Sequence, residues 1–251
     1  MRAALSIGLS GATDARAIRA LAPRIERLGF SGLWLNDVPK GDSLAGLRVA
    51  ASVTGTLRLA TGVIPLDRRP ADSLDLGGLP AERTTLGIGS GAARHPLGLV
   101  ERGIATLRAT EAAIVVGALG PRMRRLAATR ADGVLFNWLT PDAAARAHSE
   151  LRAAAGDRDV RSVLYVRTIT DERARSALER EADRYASVPS YAANFERLGI
   201  SAIDATMHRP SGLRAFDVVD EIVLRAVTAT GSLEELERFV EDAASWRLEA
   251  E

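Results

Sequence analysis

The feature that most constrains the fold of this chain is the regular alternation of short apolar runs with amphipathic segments. The strand-like apolar runs cover residues 3–9, 33–37, 57–64, 84–88, 112–118, 133–137 and 160–169. Apolar residues at helical spacing lie between them, as at Ile18, Leu21 and Ile25, where Asp14 can cap the start of the helix. Strands that alternate with helices in this way predict βαβ units and a parallel sheet.

Seven such units in a chain of 251 residues favour a (β/α)8 barrel of the TIM type over an open doubly wound sheet. We therefore predict one α/β barrel domain over residues 1–251, with shortened loops. The remaining long segments, residues 171–185, 190–198, 216–229 and 232–244, are predicted to be helical. The eighth strand is left open, because residues 202–206 and 246–248 are both poor candidates for it.

Composition excludes several classes of protein. The chain has no cysteine, which removes disulfides and thiolate chemistry, and its three histidines are too scattered to form a metal site. A net charge of +1 does not favour binding to nucleic acid or to an anionic membrane. No apolar run approaches the roughly 18 residues that span a bilayer, and the first apolar run is too short for a secretory signal. We expect a cytoplasmic protein that acts on a small molecule.

A glycine-rich run, TTLGIGSG, places glycine at alternate positions where a predicted strand ends. The active site of a TIM barrel lies at this C-terminal end of the strands. Gly87, Gly89 and Gly91 leave room for another group to come close to the backbone, beside Ser90 and His95. The same pattern is also typical of a strand that packs closely against its neighbour.

A second turn, GALGPRM at residues 117–123, joins the next predicted strand to a helix. Pro121 suits the first turn of that helix, whose free N–H groups and positive end can bind an anion. Arg122, Arg124 and Arg125 follow and can assist. An ordinary strand-to-helix turn without a ligand has the same sequence signals.

Three segments fall in an order and spacing that resemble the luciferase-like monooxygenase family, which includes bacterial-luciferase-type flavoproteins and oxidoreductases dependent on the deazaflavin coenzyme F-420. They are LATGVIPLDRRPADSLD, LGIGSGAARHPLG and VVGALGPRMRRLAATRADGVLFNW. The cofactor-binding residues that the resemblance implies are Thr61, Gly62, Val63, Gly89, Ser90, Gly91, Ala118, Leu119, Gly120, Pro121, Met123 and Asn137. It also implies a non-proline cis peptide bond at Gly62–Val63 and a homodimer. A planar ring would then approach Gly87, Gly89 and Gly91, with Ser90 and His95 near its edge.

Two residues are catalytic candidates. Asp37 follows the second strand, where the family often has an acidic residue followed by histidine, but here Val38 occupies the histidine position. His95 lies on a loop of the predicted catalytic face and could exchange protons near neutral pH, although a solvated loop histidine is the commoner case.

The resemblance implies hydride transfer or monooxygenation of a small organic substrate, and we favour coenzyme F-420 over FMN as the cofactor. The segments at residues 61–65 and 117–123 look more like the deazaflavin branch than the luciferase branch. The acidic tail of the deazaflavin would also benefit from nearby arginines such as Arg122.

Two other functions stay open. The family usually carries a long excursion after its fourth strand, but only about twenty residues separate Gly91 from the next strand at Ala112. The short connection after Gly91 and the absence of a histidine after Asp37 favour a non-catalytic flavin-binding or scaffold barrel. Alternatively, an unrelated barrel enzyme could bind the phosphate of a phosphorylated metabolite at the turn of Gly120 and Pro121.

Overall fold

A closed barrel of parallel strands forms the centre of the computed structural model, which describes residues 1–39 and 41–250. In chain order the strands are β1 (Ala4–Ser10), β2 (Gly32–Asn36), β3 (Arg58–Thr61), β4 (Ile64–Pro65), β5 (Thr84–Gly89), β6 (Ala113–Gly117), β7 (Gly133–Asn137), β8 (Arg161–Thr168), β9 (Thr206–Met207) and β10 (Glu221–Ala226). Eight of them close the barrel in the order β1-β2-β3-β5-β6-β7-β8-β10, and β10 pairs with β1. The short β4 pairs with β5, and β9 pairs with β8. The predicted (β/α)8 fold is confirmed.

Nine α-helices occur in the described residues and surround the barrel. They are α1 (Ala15–Arg27), α2 (Ser43–Ala51), α3 (Pro96–Leu107), α4 (Pro121–Arg130), α5 (Pro141–Ala155), α6 (Arg175–Ala186), α7 (Pro189–Leu198), α8 (Ser211–Ala215) and α9 (Leu233–Ala250). Proline begins α3, α4, α5 and α7, where its missing N–H costs no hydrogen bond. No helix within residues 1–39 and 41–250 has the length and apolar character needed to cross a membrane.

The eighth barrel strand lies in a segment that the sequence predicted to be helical. Residues 216–229 instead contain β10, which pairs with β8 on one side and with β1 on the other. Its residues Ile222, Val223 and Leu224 are fully buried. A short run that is apolar on both faces has no period to separate strand from helix, so the helical prediction was wrong here. Of the two weaker candidates, residues 246–248 lie in α9, and residues 202–206 include a 3-10 turn (Ile203–Ala205) that leads into β9.

The barrel interior has its own apolar cluster, separate from the larger core between strands and helices. Its buried members are Trp34, Ala60, Val115, Leu135, Val163, Tyr165 and Val223. Below this cluster, at the N-terminal end of the strands, Glu221 accepts a hydrogen bond from Trp34 Nε1 (2.8 Å) and pairs with Arg161 (3.0 Å). Above it, Leu135 and Tyr165 form part of the wall of an open cavity. The lower half of the barrel therefore contains a cavity of only about 60 Å³, and its upper half is available to a ligand.

The connections at the upper end differ greatly in length. After β5 a single helix, α3, precedes β6, as the short spacing in the sequence predicted. After β8, by contrast, residues 169–220 carry α6, α7, α8 and the short β9 before the chain returns to the barrel. The cover over the C-terminal end of the strands therefore comes from the connection after β8.

Candidate functional site

A cavity of about 510 Å³ opens at the C-terminal ends of the barrel strands. Its volume lies within the range of roughly 300–1,000 Å³ that is usual for small-molecule sites. The predicted site residues that line it are Asp37, Gly62, Val63, Gly89, Ser90, Gly91, Ala118, Leu119, Gly120, Met123 and Asn137. Their assignment to cofactor binding or catalysis stays a prediction, but the structure brings them to one place.

Two of the predicted cofactor residues are adjacent to the cavity without lining it. Thr61 is fully buried, and its Oγ1 both donates to the carbonyl of Gly87 and accepts the N–H of Gly87, each at 2.9 Å. It therefore joins β3 to β5 at the point where their strands diverge. Pro121 begins α4 and is exposed.

His95, a predicted catalytic residue, is not part of the cavity wall. It is exposed immediately before Pro96, where α3 begins. Gly91 turns the chain with a φ of +57° after β5, and the following loop carries His95 outward. His95 thus lies outside the cavity wall, and its catalytic role stays a prediction.

Asp37 borders the cavity, but its carboxylate is directed into the protein and its side chain is only 2% exposed. It accepts hydrogen bonds from the backbone N–H (3.2 Å) and hydroxyl (3.1 Å) of Ser43, the first residue of α2. It also pairs with Arg69 at 2.8 Å. This carboxylate holds a helix start and a loop in place, and its catalytic role stays a prediction.

The space beside the alternate glycines at positions 87, 89 and 91 is occupied by other parts of the protein. A Cβ at Gly87 would lie 1.8 Å from the carbonyl oxygen of Thr61, and one at Gly89 would lie 2.8 Å from Cγ2 of Val63. At Gly91 the same atom would lie 1.8 Å from Asp67 Oδ1. Thr61 ends β3, Val63 lies in the bend between β3 and β4, and Asp67 follows β4, so one continuous segment approaches β5 so closely.

That bend contains the cis peptide bond expected from the resemblance, between Gly62 and Val63. The bend carries Val63 into the cavity wall, where its side chain lies against Gly89 and Gly117. A Cβ at Gly117 would lie 3.0 Å from Cγ1 of Val63. Glycines at both positions therefore allow Val63 to form an apolar ledge inside the cavity.

Gly120 differs from these packing glycines because the space beside it is open. Among the described residues, no heavy atom lies within 4 Å of a Cβ built at Gly120. Gly120 is the N-cap of α4, and no side chain of the described chain caps that helix. The first N–H groups of a helix have no partner within it, so this end of α4 offers hydrogen-bond donors and positive potential to the cavity.

The arginines near this turn are arranged differently from the expectation that all three assist it. Arg122 and Arg125 are exposed, but Arg124 turns inward and its guanidinium lies 5.2 Å from the centre of the Phe136 ring. Burial, together with the charge of Arg197, lowers the pKa of Arg124 to about 10, against a smaller opposing effect of Glu150. Arg197 of α7 reaches the turn instead and donates to the carbonyl of Leu119 at 3.3 Å.

The sequence did not single out a stacked cluster at one side of the cavity. The guanidinium of Arg167 lies 4.1 Å from the ring centre of Trp138 and 4.7 Å from that of Tyr185. Arg167 also donates through Nε to Glu181 at 3.0 Å and through Nη1 to Asn137. Trp138 is fully buried with a left-handed φ of 55°, which directs its ring from the end of β7 toward α6 and α7. The cluster thus fastens the covering helices to the barrel.

Two further cavity residues, Tyr165 and Arg225, project from β8 and β10. Burial raises the pKa of Tyr165, although the charges of Arg225 and Arg167 oppose the shift. The strand period of two along β8 puts Tyr165 and Arg167 on the inner face, which is a signal that the sequence contains. Arg225 was not predicted as a site residue, because its strand was predicted to be a helix.

Comparison with known families agrees with the fold and with the motifs at the strand ends. The family model described as luciferase-like monooxygenase matches residues 3–105 and 99–248. This chain belongs to the luciferase-like monooxygenase family. A search of curated protein sequences gives no match.

Several solved structures share the fold over nearly the whole chain. The coenzyme F-420-dependent tetrahydromethanopterin reductase of Methanopyrus kandleri superimposes with a TM-score of 0.69 and 16% identity, over 97% of this chain and 98% of that one. A monooxygenase of Streptomyces bottropensis gives 0.70 and 17%, over 98% and 99%. The FMN complex of the oxygenating constituent of 3,6-diketocamphane monooxygenase, from the CAM plasmid of Pseudomonas putida, gives 0.62 and 14%, over 96% and 97%. At these identities the likeness shows the fold.

Proposed function

We propose that the chain is an oxidoreductase that binds a deazaflavin in this cavity, with coenzyme F-420 favoured over FMN, and that it moves hydride to or from a small organic substrate. The observation that carries the proposal is the open turn at Gly120, where an uncapped helix start faces a cavity of about 510 Å³. Such a helix start is suited to a phosphate group, which both cofactors carry.

The residues of the cavity fit a cofactor of this kind. Val63 and Leu135 offer apolar surface for a flat ring, and Gly120 and Met123 border the end suited to phosphate. Asn36 Oδ1 is a buried acceptor that has no hydrogen-bond partner in residues 1–39 and 41–250. Buried polar atoms rarely stay unpaired, so an acceptor that faces a cavity is consistent with a ligand that supplies a donor.

A bound deazaflavin or flavin would supply the hydride chemistry, which no protein side chain provides. The residues of the chain would bind and orient it, with the N–H groups at the start of α4 on the phosphate and Val63 against the ring. Tyr185 and Tyr191 line the cavity from the covering helices with their rings 4.8 Å apart. They would exclude water from the reacting face.

Positive charge in and beside the cavity supports F-420 over FMN. Arg122 is exposed beside the Gly120 turn, and Arg197 donates to the backbone of that turn. Arg68 lines another part of the cavity, 4.0 Å from Asp37. The only carboxylate that lines the described part of the cavity is that of Asp37, which Arg69 already pairs. An acidic tail benefits from such surroundings through charge-assisted hydrogen bonds.

Titration of the purified chain with F-420 and with FMN tests the proposal directly. We expect F-420 to bind more tightly than FMN, and its binding to weaken as salt is added. Tight binding of FMN with no binding of F-420 would overturn the choice of cofactor. Binding of neither would favour the second candidate function, a non-catalytic scaffold barrel. That candidate is supported by the engaged carboxylate of Asp37 and by the absence of histidine from the cavity wall within the described residues.

Gly120→Leu is expected to weaken F-420 binding by at least about tenfold, because the new side chain would occupy the open space beside the α4 start and displace the phosphate. Folding should be unaffected, since the φ of −93° and the empty surroundings both accept a side chain. Binding is measured by fluorescence titration and stability by urea unfolding. Gly55→Leu is the matched control, because Gly55 is also open among the described residues but lies at a distance from the cavity. Equal F-420 affinity for both variants would contradict the assignment.

A further inference from the structure

Arg225 occupies a position in the barrel that the proposed cofactor contacts leave unused. It lies near the end of β10, where its register partners are Arg167 on β8 and Gly8 on β1. Its side chain lines the cavity and is half-buried. Around the barrel, β10 is three strands away from β6, which precedes the Gly120 turn. The cavity therefore has a second cationic side that is distinct from the start of α4.

Arg167 and Arg225, which are register partners on neighbouring strands, differ in how their charges are balanced. Arg167 forms an ion pair with Glu181 at 3.0 Å. Arg225 donates a hydrogen bond to the carbonyl of Ala226, and no carboxylate of the described residues forms an ion pair with it. The single carboxylate of Glu181 neutralises only one of these two guanidinium groups. This side of the cavity therefore carries one positive charge that no ion pair neutralises.

A buried hydroxyl lies on the same side. Tyr165 is 3% exposed, and its Oη makes no hydrogen bond within residues 1–39 and 41–250. A Cβ at Gly8 would lie 3.0 Å from this oxygen, so Tyr165 leans toward the strand position that is paired with Arg225. Glycine at position 8 leaves the space that the hydroxyl occupies. Tyr165 and Arg225 both line the cavity, so a hydroxyl without a hydrogen-bond partner and a guanidinium without an ion-pair partner among the described residues lie on the same side of it.

We propose that Arg225 and the Tyr165 hydroxyl form a subsite for an anionic oxygen group of the substrate, a carboxylate or a phosphate monoester. The inference rests on the proposed function, because it names the substrate class for the same cavity. A guanidinium donates two parallel hydrogen bonds to such a group, and a tyrosine hydroxyl can donate a third. An anion would also supply the missing negative charge, which makes its binding favourable where burial leaves the cation poorly solvated.

The test uses the full chain without added cofactor and three probes of similar shape, benzoate, phenyl phosphate and neutral benzamide. We expect wild-type protein to bind benzoate or phenyl phosphate at least about tenfold more tightly than benzamide in calorimetric titration. Whichever anion binds more tightly identifies the group as carboxylate or phosphate. Arg225→Gln should weaken anion binding by about 10–100-fold, and Tyr165→Phe by about 2–10-fold. Arg225→Lys should restore part of the binding, and Arg180→Gln, on the exposed face of α6, controls for loss of net charge.

Three results would overturn the subsite: equal affinity for benzoate and benzamide, anion binding that Arg225→Gln leaves unchanged, or equal loss in Arg225→Gln and Arg180→Gln. F-420 titration of the same variants separates the two proposals. Loss of F-420 affinity in Arg225→Gln as large as the loss for benzoate would assign Arg225 to the acidic tail of the cofactor and also overturn the subsite. Anion binding through Arg225 in a protein that binds neither F-420 nor FMN would support the subsite and refute the proposed function.

Discussion

Gly87→Ala is expected to lower the free energy of unfolding by more than about 3 kcal/mol, or to prevent folding altogether, because its new methyl group has no space. The Cβ would lie 1.8 Å from the carbonyl oxygen of Thr61 and 3.0 Å from its carbonyl carbon. Both are backbone atoms, and Thr61 is held there by two hydrogen bonds to the backbone of Gly87 itself. Relief would require β3 and β5 to separate, with loss of those bonds.

Urea unfolding followed by circular dichroism measures this effect, and two other glycines calibrate it. Gly120→Ala should leave stability nearly unchanged, since the described chain places nothing within 4 Å of the new atom. Gly89→Ala should fall between them, because its contact is the Val63 side chain at 2.8 Å, which can rotate. Equal stability of the Gly87 and Gly120 variants would show that β5 does not need glycine for packing. The alternate glycines of β5 would then again point to a ligand.

These glycines illustrate what the sequence can and cannot tell about this site. The pattern in β5 correctly predicted that something approaches the backbone, because loss of alternate side chains has few other uses in a strand. Whether the approaching group is a ligand or a neighbouring strand depends on atoms that lie 26 residues away in Thr61. Sequence reasoning left both interpretations open, and the structure decides for the neighbouring strand at Gly87 while leaving Gly120 open to a ligand.

The barrel itself could be predicted because seven strand–helix units have clear periodicity, and their observed bounds lie close to the predicted ones. β10 was missed because a strand buried on both faces has the same apolar run as a buried helix. Nearness to a strand end was also a weak guide to side-chain direction. Asp37 and His95 both follow strands. The carboxylate of Asp37 nevertheless binds the start of α2, and the imidazole of His95 lies outside the cavity. Direction depends on loop geometry that no local pattern encodes.

The stacked cluster was beyond sequence reasoning for a different reason. Arg167, Trp138 and Tyr185 come from β8, the end of β7 and α6, and only the closed barrel with its covering helices brings them together. Each residue alone has an ordinary local explanation, as a strand end, a buried aromatic or a helix surface. Together they attach the covering helices to the barrel, and only the three-dimensional structure shows this role.

Arg167→Met is expected to lower the free energy of unfolding by about 3–5 kcal/mol near pH 7, because it leaves the carboxylate of Glu181, whose side chain is only 15% exposed, without its ion-pair partner at 3.0 Å. The stacking of the guanidinium between Trp138 and Tyr185 is lost as well. The double variant Arg167→Met with Glu181→Leu is the matched control. Removal of both charges should recover a large part of the loss, since an apolar pair can replace a buried ion pair at little cost.

The pH dependence of the loss separates the charge effect from lost packing. Burial alone would raise the pKa of Glu181, but the charges of Arg167 and Arg225 and the hydrogen bond from Arg167 lower it below the ordinary value of 4.5. In wild type this carboxylate therefore stabilises the fold above that value, and the contribution is lost as the pH falls through the lowered pKa. Arg167→Met removes the largest charge that opposes burial, and only the charges of Arg225 and Arg184 still oppose it. The pKa of Glu181 should therefore be higher in the variant than in wild type, so protonation relieves the variant at higher pH. The stability difference between wild type and Arg167→Met should consequently shrink from about pH 7 to about pH 4 in urea unfolding, while the difference for the double variant stays flat.

A single-variant deficit that does not change with pH, and that the double variant shares in full, would show that Arg167 stabilises the fold by packing alone.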